Sequence, residues 1–225
     1  MGITLCFVPL VLAFLLFAIS FKCKITHLLI AILLGLIAVL PISFIQYFMP
    51  PIPEINISPV LRALLKSILL YGLVEELIKG LLLLPLPHKF KDSETNSCLS
   101  FLLLSFIAGL SLGCFESVVY YFDHLQLANS RGATLLYGQI AVRIFTSDLI
   151  HTMCTGLCGL FIYNLRNKTY TFSCIIFAIL LHGFYDFFAG FSGDIRWFSI
   201  AVVLMSILEC RIKYTKNLTK ATNKA

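Results

Sequence analysis

Long apolar runs separated by short polar breaks make up most of this chain. About 20 consecutive apolar residues cross a bilayer as a helix, so the pattern predicts a helical membrane protein. The candidate spans cover roughly residues 3–21, 26–48, 60–86, 98–122, 135–164, 170–190 and 197–212. We therefore expect an all-α bundle of about seven transmembrane helices.

Composition supports a membrane protein with little room for anything else. Of the 225 residues, 59% are hydrophobic and only 12% are charged, and the mean hydropathy is +0.94. The longest loops, at 50–59, 88–97 and 123–134, are too short to hold a separate domain. We expect one integral membrane domain over residues 1–225.

The distribution of basic residues predicts the orientation. Eleven lysines and arginines follow the odd-numbered spans: Lys22, Lys24, Lys89, Lys91, Arg166, Lys168, Arg211, Lys213, Lys216, Lys220 and Lys224. By the positive-inside rule, the N-terminus lies outside and the C-terminus is cytoplasmic. The first run is then an uncleaved anchor, because no basic stretch precedes it. The net charge of +6 reflects topology and attraction to anionic lipid, and needs no nucleic-acid partner.

Ionisable residues inside the apolar runs are the most informative feature. Glu75, Glu76 and Lys79 share one helix face, and His182 lies one turn before Asp186. A charged side chain at the middle of a membrane helix costs roughly 2.5–3.5 kcal/mol on insertion scales, and such residues normally face an internal cavity. The two groups therefore predict a functional site inside the membrane.

More polar residues occupy shared faces of the intervening helices. Glu116 lies four residues before Tyr120, and Asp148 lies three before His151, with Arg143 upstream. Counting the helix rise from the span ends puts all these groups at depths compatible with one cavity. The carboxylates in the runs are Glu75, Glu76, Glu116, Asp148 and Asp186, and the permanent bases beside them are Lys79 and Arg143. The formal negative excess requires protons or a divalent metal.

This constellation can perform peptide hydrolysis. One glutamate of the pair would activate water, while Lys79 would hold its neighbour ionised. His182 or His151 would stabilise the oxyanion, and Asp186 would fix the orientation of the His182 ring. We favour this glutamate chemistry, with no cofactor.

Zinc chemistry is the alternative that the residues leave open. His151, His182 and Glu116 could hold zinc with one position left for water. The chain has no H-E-x-x-H motif, so such a site would have to form from separate helices.

Four motifs, in order along the chain, resemble the PrsW family of intramembrane proteases, which is related to the CAAX prenyl endoprotease and Abi group. They are Glu75-Glu76-x-x-Lys79, Phe115-Glu116-x-x-x-Tyr120, His151 with upstream Arg143, and His182-Gly183-x-x-Asp186. Together they cover residues 75–186, about half of the chain.

The resemblance implies cleavage of a membrane-embedded protein, with an anti-sigma-factor-like substrate in a bacterial plasma membrane. It implies that the catalytic candidates are Glu75, Glu76, Glu116, His151 and His182, supported by Lys79, Tyr120, Arg143 and Asp186. Prenyl endoproteases carry an arginine and an asparagine where this chain has Lys79 and Asp186. A CAAX substrate is therefore disfavoured.

Other classes of protein could use the same residues. In a proton- or cation-coupled transporter, the carboxylates and histidines would form a relay. In an inactive scaffold that binds single-pass proteins, isosteric changes at Glu75 or His182 would leave cellular activity intact.

Overall fold

The described part of the chain is helical throughout. The computed structural model describes residues 2–49, 57–87, 94–126 and 132–222, and their side chains outside 94–96 and 220–222. The helices are α1 (Gly2–Ile19), α2 (Ile25–Phe48), α3 (Pro59–Lys66), α4 (Leu73–Leu82), α5 (Glu94–Asp123), α6 (Ala133–Phe145), α7 (Ser147–Arg166), α8 (Ser173–Ala189) and α9 (Phe198–Thr222). A π-helical segment, Ser67–Gly72, joins α3 to α4, and a 3₁₀ turn, Gly193–Trp197, precedes α9.

The predicted all-α class is confirmed. Within the described residues, four helical stretches are long and apolar enough to cross a membrane: Gly2–Ile19, Ile25–Phe48, Ser97–Asp123 and Ala133–Arg166. The last of them comprises α6 and α7. The count of seven spans and the orientation stay predictions. Among the charges behind that orientation, Lys89, Lys91 and Lys224 lie outside the described residues, as does the side chain of Lys220.

Helix boundaries differ from the apolar pattern in two places. The predicted span 135–164 is divided at Thr146, whose backbone leaves the helical region at φ −128° and ψ −74°. Its hydroxyl donates to the carbonyl of Val142 at 2.9 Å, a side-chain bond that competes with the regular ladder. At the end of the chain, α9 continues to Thr222, because its last turns are polar and still helical.

The centre of the bundle is formed by α5 and α7. In the most apolar stretch of α5, 78% of the residues are buried, whereas the corresponding shares in α1 and α2 are 17% and 28%. The outer helices thus present apolar side chains outward, as contact with lipid requires. The buried position of α5 lets it contact α1, α2, α6, α7 and α9.

Small residues bring α5 and α7 into close contact. A side chain at Gly109 would collide with the backbone carbonyl of His151, and one at Gly113 would collide with Asp148. Small residues at such a crossing allow two backbones to approach. Two of the predicted site residues are therefore fixed on α7 by glycines on α5.

A second close crossing positions α4. A side chain at Gly72, at the end of the π-helical segment, would collide with the backbone of Ile179 on α8. A side chain at Gly183 on α8 would likewise collide with Ile68. The amide of Leu73 bonds the carbonyl of Ile68, five residues back, which is the π-helical pattern. The first turn of α4, which carries the paired glutamates, is thereby held beside α8.

Candidate active site

Glu76 lies at the centre of a fully buried hydrogen-bond network. Its Oε1 accepts from Lys79 Nζ at 2.8 Å and from His182 Nδ1 at 2.7 Å. Its Oε2 accepts from the Cys158 thiol, with Sγ at 3.2 Å. Glu76 has no exposed surface, so these bonds replace its hydration entirely. Its carboxylate is occupied on both oxygens.

Glu75 has one oxygen without such a bond. Its Oε1 accepts from Gln46 Nε2 on α2 at 3.1 Å, whereas its buried Oε2 has no hydrogen-bond partner among the described residues. That oxygen lies 3.4 Å from Lys79 Nζ, 3.6 Å from His182 Nε2 and 3.8 Å from His151 Nδ1. A buried acceptor left open among three nitrogens is costly unless something else binds it.

The two histidines face each other across this oxygen. Their ring centroids are 4.8 Å apart, and the rings are nearly perpendicular at 80°. His151 Nε2 donates to Glu116 Oε2 at 2.8 Å, and its Nδ1 accepts from Lys79 Nζ at 3.0 Å. We assign these donor and acceptor roles from the partners of each ring nitrogen. With Nδ1 of His182 bound to Glu76, its Nε2 is the ring nitrogen directed at the open oxygen.

Glu116 and Asp186 form the more open side of the site. The Glu116 side chain is 30% exposed and the Asp186 side chain 27%, whereas those of Glu76 and His182 are 0% and 1%. Asp186 Oδ2 lies 3.7 Å from His182 Nε2, beyond hydrogen-bond distance. The site is therefore more exposed on the side of Glu116 and Asp186.

Arg143 is held by hydroxyl groups at this open side. It donates from Nε to Ser117 at 3.2 Å and from Nη2 to Ser147 at 3.0 Å. Ser117 donates in turn to Asp148 at 2.9 Å, and the guanidinium lies 4.7 Å from the ring of Tyr120. Arg143 Nη2 is 3.9 Å from the Glu116 carboxylate, too far for a hydrogen bond but near enough to balance its charge.

The open oxygen and the two histidines fit a divalent metal. Glu75, His151 and His182 each offer a ligand atom, and these atoms all lie within 4.8 Å of one another. One carboxylate and two imidazoles are an established donor set for zinc, whose ligand atoms lie about 3.3 Å apart in a tetrahedral site. The remaining nitrogen of each ring bonds a glutamate, Glu116 or Glu76, as in histidines that bind metals.

Most of the predicted site residues converge on one place. The structure brings together Glu75, Glu76, Lys79, Glu116, Arg143, His151, His182 and Asp186, and Tyr120 packs on Arg143. Two details differ from the sequence analysis. Glu75, rather than Glu116, shares the potential metal group with both histidines. His182 donates the hydrogen bond that fixes its ring to Glu76 rather than to Asp186.

Sequence reasoning missed three polar contacts at the site. Gln46 bonds Glu75, the thiol of Cys158 bonds Glu76, and Ser117 links Arg143 to Asp148. The amide of Gln46 near the end of an apolar run was the one available signal. A cysteine and a serine in a membrane helix are too common to stand out.

A buried acid–base cluster inside an apolar helical bundle defines a membrane protein with an intramembrane polar site. The comparisons narrow that class. A sequence model described as "PrsW family intramembrane metalloprotease" matches residues 24–209, and the chain belongs to this family. The matched range contains every site residue named above. The membership favours a peptidase over a transporter.

A curated relative gives a second comparison. Protease PrsW of Clostridioides difficile (strain 630) is 27% identical over 157 residues, which cover 67% of this chain and 61% of the relative. The matched region thus spans less than two thirds of that relative's length. No solved structure matches the chain.

Proposed function

We propose that this protein is an intramembrane endopeptidase that cleaves a membrane-tethered protein by glutamate-activated water. One observation carries the proposal, namely the buried Glu75 Oε2, which accepts no hydrogen bond from the described residues and faces three nitrogens. Such an oxygen can hold a water molecule and accept its proton. The proposal includes the single domain over residues 1–225 and the catalytic core at about 60–190.

Glu75 is the proposed base. Its Oε1 is fixed by Gln46, so Oε2 keeps a defined direction. Oε2 takes one proton from water, and the water oxygen attacks the scissile carbonyl carbon. The carboxylic acid then returns the proton to the leaving amide nitrogen as the C–N bond breaks. Lys79 Nζ lies 3.4 Å from Oε2 and places a positive charge beside the attacking water.

His182 is the proposed donor to the oxyanion. Its Nδ1 is held by Glu76, and in this proposal its Nε2 carries a proton and donates to the carbonyl oxygen as charge develops there. Asp186, 3.7 Å from Nε2, is close enough to stabilise the imidazolium electrostatically. Glu116 fixes the orientation of the His151 ring by accepting the 2.8 Å hydrogen bond from its Nε2.

A metal would be held by Glu75 Oε2, His151 Nδ1 and His182 Nε2. When bound there, a divalent ion supplies Lewis acidity to a carbonyl oxygen and favours deprotonation of water. Lys79 Nζ lies 3.0 Å from the His151 nitrogen and 3.4 Å from the Glu75 oxygen, so its charge opposes a second cation between them. We propose glutamate chemistry because the lysine already supplies positive charge at this position.

The substrate and location are proposed from the family. A chain of this class acts on a protein embedded in the bilayer, and the resemblance favours an anti-sigma-factor-like substrate in a bacterial plasma membrane. The curated relative, which is itself bacterial, is named a protease.

Cleavage of single-pass reporter proteins in liposomes tests the proposal. We expect the wild type to cleave members of a reporter panel and Glu75→Gln to lose that activity. Glu209→Gln is the matched control, because Glu209 also pairs with a lysine, Lys213, one turn away on α9. It should cleave like the wild type. Equal cleavage by wild type and Glu75→Gln would exclude the proposed base.

A chelator arm separates the two chemistries. Glutamate chemistry predicts that cleavage survives removal of divalent ions. Loss of cleavage on chelation, with recovery on adding zinc, would replace it by a metal held at the same three side chains.

A further inference from the structure

A cavity of about 790 Å³ lies beside the site, between α6 and the junction of α8 with α9. This volume is within the range of sites that hold ligands, about 300–1,000 Å³. On one side, α6 packs against α1 and α5, whereas the cavity separates it from the end of α8. Thr146, where the helical backbone is broken between α6 and α7, is one of the residues that line this space.

The cavity runs along α6. Its lining extends from Thr134 to Thr146, a separation of twelve helical steps or about 18 Å of helix rise. On the opposite wall it extends from Tyr185 through the 3₁₀ turn, which carries Arg196, to Ile200 at the start of α9. An extended chain advances about 3.3 Å per residue, so about five residues of unwound peptide span this length.

One end of the cavity adjoins the proposed catalytic groups. Tyr185 directly precedes Asp186, and its hydroxyl donates to Thr146, which directly precedes Ser147. Ser147 accepts from Arg143 at the open side of the site. A peptide in the cavity would therefore lead to the partly exposed carboxylates rather than to the buried side.

The other end of the cavity carries one charge. Arg196 is exposed and is the charged residue among those that line the cavity. At the edge of an apolar groove, a guanidinium attracts a carboxylate more strongly than it does in bulk water. Charge complementarity thus favours an occupant with an acidic group at this end.

The lining favours a peptide over a lipid tail. A transmembrane segment must unwind before its carbonyl groups become accessible to hydrolysis, and each unpaired backbone group in hydrocarbon costs several kcal/mol. Gln139 and Thr134 place polar groups along the cavity that can bond such a backbone. An acyl chain has no donor or acceptor that could bond them.

We propose that this cavity binds an unwound segment of the substrate next to the scissile bond, and that Arg196 selects an acidic side chain about five residues from that bond. The inference rests on the proposed function, since it assigns substrate recognition to the same site.

Trp197 provides a direct binding signal. It is the single tryptophan of the chain, lines the cavity and is 67% exposed. The experiment uses the full chain with Glu75→Gln in phosphatidylcholine vesicles. The probes are synthetic transmembrane peptides without tryptophan, each with a central Gly-Gly pair and either Asp or Lys five residues beyond it. Because binding is read without cleavage, failure of this inference is distinguishable from failure of the proposed function.

We expect a saturable change in Trp197 fluorescence, with the Asp peptide binding about tenfold more tightly than the Lys peptide because attraction replaces repulsion. Arg196→Glu should reverse that preference. Gly138→Phe should abolish binding, since a side chain at this lining residue meets nothing within 4 Å and can enter the cavity. Ala141→Phe is the matched control on the same helix, because Ala141 is exposed and lies outside the lining.

Three outcomes would overturn the inference: equal binding of the two peptides by the wild-type groove, binding unaffected by Gly138→Phe, or no response to either peptide. A fourth is the same fluorescence change on adding anionic lipid alone, which would make the cavity a lipid site. A folded Ala141→Phe protein that binds like its parent keeps the loss in Gly138→Phe interpretable.

Discussion

The two sides of the polar site differ in how far they are closed to solvent. On one side, Glu76 and His182 are buried, and both oxygens of Glu76 accept hydrogen bonds. On the other side, Glu116 and Asp186 keep more than a quarter of their side-chain surface exposed. The buried side is built to hold one geometry, and the open side is available to a substrate. Glu75 lies between them. Its Oε1 accepts a hydrogen bond from Gln46, and its Oε2 is left open.

The difference predicts how each side responds to mutation. Removing one partner of a buried ion pair leaves the other charge uncompensated and typically costs about 3–5 kcal/mol. Exposed pairs are screened by water and contribute about 0–1 kcal/mol. Removing a charge on the buried side should therefore lower stability, whereas removing one on the open side should leave stability nearly unchanged.

Glu75→Gln should have the largest effect on activity. The amide keeps the contact with Gln46 but cannot accept a proton, so we expect the cleavage rate to fall about 10³-fold. Unfolding in detergent should change little, because Glu76 still pairs with Lys79. The measurement is single-turnover cleavage of a reporter in liposomes. A variant within tenfold of the wild-type rate would remove Glu75 from the mechanism.

Glu76→Gln should have the largest effect on stability. It leaves Lys79 without its 2.8 Å partner, and we expect the free energy of unfolding to fall by about 3 kcal/mol. Glu116→Gln is the matched change on the open side, with an expected loss below about 1 kcal/mol. Denaturant titration in micelles measures both. Equal losses would erase the distinction between the two sides.

Gly109→Ala tests the crossing that supports the buried side. The added methyl group meets the carbonyl of His151 and the side chain of Thr155, and overpacking of this kind costs about 1–3 kcal/mol. Gly138→Ala, also in a helix, meets nothing within 4 Å and should stabilise by up to about 1 kcal/mol. Thermal unfolding of the pair gives the comparison. A stabilising Gly109→Ala would mean that α5 and α7 can separate without loss.

Asp186→Asn should have the smallest effect. It removes a charge 3.7 Å from His182 but no hydrogen bond, so we expect a rate loss of about tenfold or less and unchanged stability. Asp194→Asn in the 3₁₀ turn controls for loss of charge on the same side of the bundle. A marked drop in melting temperature for Asp186→Asn would assign this residue to the buried side instead.

The apolar runs and the ionisable residues within them were readable from the sequence for a common reason. Both reflect transfer energies that are large for single residues, such as the cost of Glu76 or Lys79 in a membrane helix. The runs therefore predicted the helices, and the charges predicted a shared site. The spacing of Glu75, Glu76 and Lys79 even gave the helix face.

The finer arrangement depended on contacts between helices. Whether Glu75 or Glu76 keeps an open oxygen is decided by Gln46 and Cys158, which belong to helices far away in the sequence. The break at Thr146 and the π-helical segment are backbone adjustments to packing, for which the local sequence carries no strong signal. The sequence thus predicted the candidate residues, whereas these contacts and backbone adjustments determine how the residues are arranged in the site.

The π-helical segment Ser67–Gly72 sets the rotation of α4 about its axis relative to α3. One residue corresponds to about 100° of rotation in an α-helix, so deleting a residue here would turn the following helix by roughly that angle. Glu75 and Glu76 would then point away from His151 and His182, although every side chain was still present. The number of residues between α3 and α4 is thus itself a determinant of the site. Apart from Ile68 and Gly72 at the crossing with α8, substitutions there should be tolerated far better than insertions or deletions.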